Sequence, residues 1–127
     1  MNVVDSSGWI EYFTEGGNAD FFSPPIRDVD NLVVPTICIY EVFKRLLAER
    51  DEDSALLSVG LISHGREVEL DRNIAIDAAQ ISRESKLAMA DSIILATARA
   101  YSATLWTQDE HFKDIEGVKY IEKKSSK

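Results

Sequence analysis

Four acidic residues that lie far apart in the sequence are the side chains best suited to act together chemically: Asp5, Glu41, Asp91 and Asp109. Carboxylate oxygens are hard ligands that suit Mg²⁺ or Mn²⁺, ions that keep several waters and often bridge to a substrate phosphate. An ion held in this way activates a water and stabilises the charge on a phosphodiester in its transition state. The expected chemistry is therefore metal-assisted hydrolysis.

The positions of predicted strand ends bring these acids to one edge of a sheet. Asp5 directly follows an apolar run over 2–4, and Asp109 follows a predicted strand over 104–107. Glu41 falls in the first two turns of the helix after the second strand. In an open parallel sheet, ligands bind beyond the carboxyl ends of the strands, where the strand order reverses. We therefore expect these carboxylates near that edge.

Asp91 lies near the start of the segment 87–100, the most strongly helical stretch of the chain. Ile94, Leu95 and Ala98 follow it at helical spacing, so all four residues share one face. A carboxylate on a core-facing side is costly unless it is compensated, so we expect a cation or a hydrogen-bond donor beside it and predict that it faces the same edge. The alternative is that Asp91 complements the dipole of its own helix.

Each of the other acids also has an ordinary structural explanation. Asp5 and Asp109 can cap the helices that follow them. Glu41 can pair on the surface with Lys44 or Arg45, an interaction worth about 0.3 kcal/mol. Taken singly, these explanations compete well with a chemical role. Taken together, they must also explain why all four acids lie at one predicted edge.

Short apolar strands alternate with helices along the whole chain. The strands are predicted over 2–4, 32–34, 67–70, 104–107 and 118–121. This alternation predicts an α/β fold, a three-layer α/β/α sandwich with a mostly parallel central sheet. Since no repeat, linker or boundary interrupts the pattern, we expect a single domain over 1–122. A polar C-terminal tail over 123–127 is expected to be frayed.

Hydroxyl and proline residues predict where several helices begin and end. Ser6 or Ser7 is expected to cap the first helix, and Thr36 is expected to cap the helix after the second strand. A single helical turn over 18–22 is expected to precede a break at the two prolines, 24–25.

The balance of charge limits the possible partners. The 127 residues carry 22 Asp and Glu against 14 Lys and Arg, a formal net charge of −8. This charge disfavours broad adhesion to nucleic acid or to anionic membranes, but it leaves open nucleic acid bound through a local basic rim or a bridging metal. No apolar run is long enough to span a bilayer, and no signal peptide is visible. The single Cys38 is interpreted as a packed hydrophobe, and cytoplasmic location is expected.

Other catalytic arrangements are not evident in the sequence. His64 and His111 stand in no Ser/His/Asp or Cys/His pattern and are interpreted as surface or capping residues. No glycine-rich phosphate-binding loop follows the first strand, which argues against a dinucleotide enzyme. A phospho-receiver domain also has acids at strand ends, but it needs a phosphoacceptor Asp on a central strand and a later Lys, and neither is evident.

Four stretches of the sequence together resemble a known family. They cover 4–7, 35–41, 90–98 and 105–112, and they read Val-Asp-Ser-Ser, Pro-Thr-Ile-Cys-Ile-Tyr-Glu, Ala-Asp-Ser-Ile-Ile-Leu-Ala-Thr-Ala and Leu-Trp-Thr-Gln-Asp-Glu-His-Phe. In order and spacing they resemble the PIN-domain ribonucleases, and within them the VapC-type toxins of prokaryotic toxin–antitoxin pairs. The helix motif and the Thr-x-Asp motif are the specific parts of this resemblance.

The resemblance implies a Rossmann-like α/β/α sandwich and Mg²⁺- or Mn²⁺-dependent endonucleolytic cleavage of RNA. By motif position, it implies that the catalytic and metal-binding acids are Asp5, Glu41, Asp91 and Asp109. It also implies that the hydroxyls of Ser6 and Thr107 support the site by orienting a carboxylate or a water, where their alternative role is capping or turn formation. A homodimer and a cognate antitoxin that covers the active groove are implied as well.

Two positions depart from the pattern of the family. Gln108 stands where many relatives carry Arg or Lys, which removes a basic contact to RNA, and Ser92 replaces a common Ala. Together with the acidic charge, Gln108 favours an alternative function, a non-catalytic RNA- or protein-binding module on the same fold. Neither departure removes one of the four acids, so RNA hydrolysis is the first hypothesis.

Overall fold

Strands and helices alternate along the chain in the computed structural model, which describes residues 1–124. The strands are β1 (Asn2–Val4), β2 (Val33–Pro35), β3 (Arg66–Val68), β4 (Thr104–Thr107) and β5 (Val118–Tyr120). The helices are α1 (Ser6–Phe13), α2 (Ala19–Arg27), α3 (Thr36–Glu49), α4 (Glu52–Ile62), α5 (Arg72–Ser85) and α6 (Met89–Ala100). Short 3₁₀ turns lie at Val29–Asn31 and Glu110–Phe112.

The strands pair in parallel, and their order reverses beside β1. β1 pairs with β4 and β4 with β5, while β2 pairs with β3. A single parallel bridge between Asn2 and Leu32 joins the two groups, which gives the order β3-β2-β1-β4-β5. The chain thus builds outward from β1 to one side and then crosses to the other side with β4. This reversal between β1 and β4 is the place where parallel sheets bind ligands.

Adjacent valines on the central strands point to opposite faces of the sheet and divide the core in two. Val3 and Val33 pack with residues of α5 and α6, whereas Val4 and Val34 pack with residues of α1 to α4. All four side chains are fully buried. Because successive strand residues alternate between faces, helices cover both sides of the sheet. The predicted three-layer α/β/α fold is confirmed.

Helix α6 is the most deeply enclosed helix of the described chain. Its residues 92–98 are all buried, a pattern typical of a helix that is surrounded by protein. Two hydroxyls within this stretch are satisfied locally: Ser92 Oγ donates to the Ala88 carbonyl oxygen over 2.9 Å, and Thr97 Oγ1 donates to the Ile93 carbonyl oxygen over 2.8 Å. The buried helix therefore fixes its first turn, which carries Asp91, against the centre of the sheet.

Helix α2 is longer than the sequence predicts. It runs through Pro24 and Pro25 to Arg27, whereas one turn over 18–22 and a break were expected. The prolines remove backbone donors, but Phe22 and Ile26 are buried in the core on the α1–α4 side of the sheet, and Pro25 is buried as well. Tertiary burial therefore outweighs the local preference of proline to end a helix.

The predicted C-terminal tail is only partly described. Lys123 and Lys124 are exposed, and Lys124 Nζ donates to the Gly17 carbonyl oxygen over 3.1 Å. Positions 125–127 lie outside the described residues, and the domain boundary at 122 stays a prediction. Within residues 1–124, no helix combines the length and apolar character required to cross a membrane.

Candidate active site

The structure brings the four sequence-predicted acids to the carboxyl edge of the sheet, around the reversal between β1 and β4. Asp5 directly follows β1, and Asp109 lies two residues beyond β4. Glu41 and Asp91 come from the first two turns of α3 and the first turn of α6. Their carboxyl groups influence one another, since Asp109 and Glu41 both raise the pKa of Asp5 and of Asp91.

Asp5 is buried and is held by two hydroxyl groups. Its Oδ2 atom accepts hydrogen bonds from Ser7 Oγ at 2.7 Å and from Thr107 Oγ1 at 2.9 Å. Thr107 Oγ1 also accepts a hydrogen bond from the Asp109 backbone N–H over 2.9 Å. Thr107, itself fully buried, thereby connects the acids that follow two neighbouring strands. No pattern in the sequence singles out Ser7 as a partner of Asp5.

Glu41 accepts a hydrogen bond from Ser6 Oγ at 2.7 Å, and this contact links α1 to α3. The alternative for Glu41, a surface pair with Lys44 or Arg45, is not found within residues 1–124. Arg45 instead pairs with Glu49 over 2.7 Å, and the Lys44 ammonium lies 5.7 Å from the centre of the Tyr40 ring.

The prediction that Ser6 or Ser7 caps α1 is wrong. Asp5, with an extended backbone, occupies the N-cap position and makes no side-chain capping hydrogen bond, so its proposed capping role is also not observed. Thr36 likewise begins α3, whose N-cap position is held by Pro35. Ser6 and Ser7 lie within the first turn of α1, past the N-cap position, and their hydroxyls instead donate to the carboxylates of Glu41 and Asp5.

Asp109 does have the capping role that its sequence position allows. Its Oδ1 atom accepts a hydrogen bond from the His111 backbone N–H at 2.9 Å and lies 2.9 Å from His111 Nδ1. One ligand atom each from Asp91, Asp109 and His111 lies within 4.8 Å of the others. His111 is exposed, as predicted for a surface residue, but its place beside the acids does not follow from any sequence pattern.

Burial and mutual repulsion make two of these carboxyl groups weaker acids than usual. Burial raises the pKa of Asp5 to about 6 despite the hydrogen bonds from Ser7 and Thr107, which lower it. Burial also raises the pKa of the half-buried Asp91 to about 6, with smaller contributions from Asp5 and the neighbouring acids, while His111 lowers it. The cluster therefore carries more negative charge than its surroundings stabilise.

The protein supplies little to compensate this charge. Within the described part of the chain, no Lys or Arg forms an ion pair with any of the four acids, and no hydrogen-bond donor contacts the Asp91 carboxylate. Of the expected cation or hydrogen-bond donor beside Asp91, the described residues supply only the nearby His111, which lowers the pKa of Asp91, so a bound cation stays a prediction. A divalent cation fits this set of oxygen donors and would supply the missing positive charge.

A polar cleft of about 470 Å³ lies next to the acids. Its lining includes Ser7, Gln108 and Asp109 near the acids and also Tyr120, Glu122 and Lys123. Its size lies within the range of ordinary ligand-binding clefts.

Gln108 does not occupy the position of a surface contact. It is buried, its Oε1 atom accepts a hydrogen bond from Asn18 Nδ2 at 3.0 Å, and its Nε2 atom donates to Glu11 Oε1 over 3.4 Å. Asn18 Nδ2 also donates to the Glu122 carbonyl oxygen over 3.0 Å. Gln108 thus lines the cleft and belongs to a largely buried polar network, and no pattern in the sequence indicates this network.

Comparison with known proteins identifies a matching family. A family model for the PIN domain matches residues 3–118 of the chain. No curated protein matches it.

Solved structures share the fold over almost the whole chain. A toxin–antitoxin complex from Klebsiella pneumoniae gives a TM-score of 0.76 at 23% identity and covers 93% of this chain and 95% of that one. VapBC2 from Rickettsia felis, bound to a DNA fragment from its promoter, gives a TM-score of 0.74 at 12% identity and covers 95% of this chain and 97% of that one. Mycobacterium tuberculosis VapC20, a sarcin–ricin loop cleaving toxin, gives a TM-score of 0.74 at 12% identity and covers 91% of this chain and 95% of that one.

Proposed function

The chain belongs to the PIN domain family, a family of nucleases, and on that basis we propose that it is a metal-dependent endoribonuclease. We further propose that it is the toxin of a VapBC-type toxin–antitoxin pair. The family match and the likeness of its acid motifs to those of VapC-type toxins support both proposals.

One observation carries the proposed activity: carboxylates from four distant segments converge without a Lys or Arg ion pair within residues 1–124. A cluster of this kind costs stability, since like charges repel and burial removes water. A role in binding a cation and a phosphodiester would explain why the cluster is retained. We assign catalysis and metal binding to Asp5, Glu41, Asp91 and Asp109.

Hydroxyl donors hold the proposed catalytic carboxylates in position. Thr107 donates to Asp5 and accepts from the Asp109 backbone, so it fixes the end of β4 relative to the end of β1. Ser6 donates to Glu41 and fixes α1 relative to α3. These contacts support the proposed role of Ser6 and Thr107 as residues that orient the acids.

The proposed cofactor is Mg²⁺ or Mn²⁺. Such an ion, when bound, would supply an activated water and neutralise the charge that develops on the phosphodiester. The chain's own contribution is to hold several carboxylates close together, at the cost reflected in the raised pKa values of Asp5 and Asp91. Asp91 keeps its oxygen atoms available because it accepts no hydrogen bond from a protein donor within residues 1–124.

We propose RNA, a cognate antitoxin and a second copy of the chain as partners, with cytoplasmic location. Exposed apolar side chains give a physical reason to expect protein partners: Leu57 on α4 is 74% exposed, and Met89 at the start of α6 is 73% exposed. Burying such a side chain contributes about 1.5–3 kcal/mol. The similar structure from Klebsiella pneumoniae is a toxin–antitoxin complex.

RNA cleavage by purified protein tests the activity. We expect structured RNAs to be cut with Mn²⁺ or Mg²⁺ and left intact with excess chelator. Asp91→Asn should reduce cleavage at least about 100-fold, because it removes charge from the site without changing the shape of the side chain. Asp53→Asn is the matched control, since Asp53 is an exposed acid in the first turn of α4.

Circular dichroism checks that both variants fold. Equal cleavage by wild type and Asp91→Asn would contradict the assignment of this acid. RNA that is bound but never cut, with the metal present, would favour the non-catalytic binding module instead.

A further inference from the structure

The His111 imidazole lies beside the acid cluster, and within residues 1–124 it forms a hydrogen bond or ion pair with none but Asp109. Its Nδ1 atom is 2.9 Å from Asp109 Oδ1, and one of its ring nitrogens lies within 4.8 Å of carboxylate oxygens of both Asp91 and Asp109. Its side chain is 71% exposed, and within residues 1–124 it forms no ion pair with any other acid.

The backbone around His111 holds the ring in this place. The short 3₁₀ turn over Glu110–Phe112 ends on a fully buried Phe112, which anchors the turn in the core. The His111 backbone N–H donates to Asp109 Oδ1 over 2.9 Å. Backbone and ring nitrogen thus both contact the same carboxylate, which restricts where the imidazole can lie.

We propose that His111 is a nitrogen ligand of the divalent ion held by Asp91 and Asp109, and that it sets the metal preference of the site. This inference rests on the proposed metal-dependent function. A neutral imidazole with its proton on one nitrogen offers a lone pair on the other. Imidazole suits Fe²⁺, Co²⁺, Ni²⁺ and Zn²⁺, whereas Mg²⁺ binds oxygen ligands and keeps its waters. His111 therefore adds affinity for Co²⁺ but little for Mg²⁺.

The selectivity between two ions tests the proposal without measuring activity. Calorimetric titration of the full chain with Co²⁺ alone and with Mg²⁺ alone gives the ratio of their dissociation constants. His111→Asn should weaken Co²⁺ binding about tenfold or more, which corresponds to about 1.4 kcal/mol. Mg²⁺ binding should change much less. The ratio is the relevant quantity, because late first-row ions bind most protein sites more tightly than Mg²⁺ does.

His64→Asn is the matched control. The sequence contains two histidines, and His64 is also exposed but lies after α4, outside the acid cluster. The His64→Asn substitution should leave the dissociation constants for Co²⁺ and Mg²⁺ unchanged. Because His111 is itself exposed, its substitution should not impair folding, and circular dichroism verifies this for both variants.

A spectroscopic measurement reports on the bond itself. Pulsed electron paramagnetic resonance of the protein loaded with Mn²⁺ detects the nuclear coupling of an imidazole nitrogen bound to the ion. We expect this coupling in the wild type and in His64→Asn, and its loss in His111→Asn.

The possible failures are distinguishable. If the wild type binds the ions, but His111→Asn leaves the Co²⁺ to Mg²⁺ ratio and the spectrum unchanged, the role of His111 is overturned while the proposed function stands. If neither Co²⁺, Mn²⁺ nor Mg²⁺ binds the wild type, the proposed metal site fails together with the role of His111.

Discussion

Asp5 is a buried carboxylate whose charge depends on two hydroxyl donors from different segments. Ser7 supplies one from the first turn of α1, and Thr107 supplies the other from the end of β4. Hydrogen bonds to a charged acceptor are stronger than those between neutral groups, and a buried charge that loses its donor pays the desolvation cost in full. The Thr107 hydroxyl therefore matters to stability as well as to the geometry of the proposed site.

Thr107→Val should lower the free energy of unfolding by about 1–3 kcal/mol at pH 7.5, because the variant keeps the shape but removes the donor to Asp5. Urea denaturation measures this change. Thr97→Val is the control, since Thr97 is also buried but its hydroxyl donates to the backbone carbonyl of its own helix. An effect of Thr107→Val no larger than that of Thr97→Val would contradict the role of the hydroxyl in holding Asp5.

The raised pKa of Asp5 predicts a pH dependence with a definite sign. Its pKa is about 6 in the folded state against the ordinary value of 3.8, so between these values the folded state binds more protons than the unfolded state. Stability should therefore fall as the pH rises from about 4 to about 6, by about 3 kcal/mol for Asp5 alone. Above that range the loss is complete.

Urea unfolding at several pH values with a chelator present tests this prediction. The profile of Asp5→Asn should be flatter than that of the wild type, because asparagine does not titrate. Parallel profiles, or wild-type stability that rises with pH through this range, would contradict the account of Asp5.

Residue positions were predictable from the sequence where backbone geometry decides them. Asp5 and Asp109 follow strands, and Asp91 opens a helix, so their common edge follows from the parallel order. The hydroxyl donors to these acids were not predictable. A serine beside Asp5 can cap a helix or donate to an acid, and the side-chain rotamer decides between these two roles. The burial of Gln108 depends on Asn18, 90 residues away, and no local pattern carries that information.

At the scale of elements, the close approach of α1 to the sheet and to α2 depends on a glycine. A Cβ atom at Gly8 would lie 2.5 Å from the Phe22 ring and 2.8 Å from Val4 Cγ1. Both neighbours are fully buried and have little room to move. Gly8 therefore sets the distance between α1 and β1, and with it the position of the serines that contact Asp5 and Glu41.

Gly8→Ala should lower the free energy of unfolding by about 1–3 kcal/mol, because the added methyl overpacks the core. Gly60→Ala is the control, since a Cβ at Gly60 in α4 would meet nothing within 4 Å. Alanine's better helix propensity should stabilise that variant by up to about 1 kcal/mol. Urea denaturation of both variants measures the contrast. If Gly8→Ala is as stable as Gly60→Ala, the core around α1 has room for a methyl group, and Gly8 does not set the distance between α1 and β1.

Elements were predictable where periodicity and burial agree. Strand β4 and helix α6 follow the sequence pattern closely, because their apolar faces are also their buried faces. The full length of helix α2 was not predictable, because proline indicates a local break while burial of Phe22 and Ile26 favours continuation of the helix. The competition between local preference and tertiary packing is decided only when the core is assembled.

At the scale of the whole molecule, the basic side chains of the described residues are not placed where the acid cluster would be neutralised by them. The chain has a net charge of −8, yet the four acids at the edge of the sheet have no Lys or Arg ion pair within residues 1–124. A fold with 14 basic residues has the means to neutralise such a cluster. Leaving it uncompensated makes the folded protein a ready acceptor for a divalent cation, at a cost in stability when no cation is bound.

Calorimetric titration with Mn²⁺ tests the central claim most directly, that acids from distant segments form one cation site. We predict that the wild type binds Mn²⁺, that Asp5→Asn weakens binding about tenfold or more, and that Asp53→Asn leaves it unchanged. A wild type that does not bind Mn²⁺, or equal binding by Asp5→Asn and the wild type, would contradict the account.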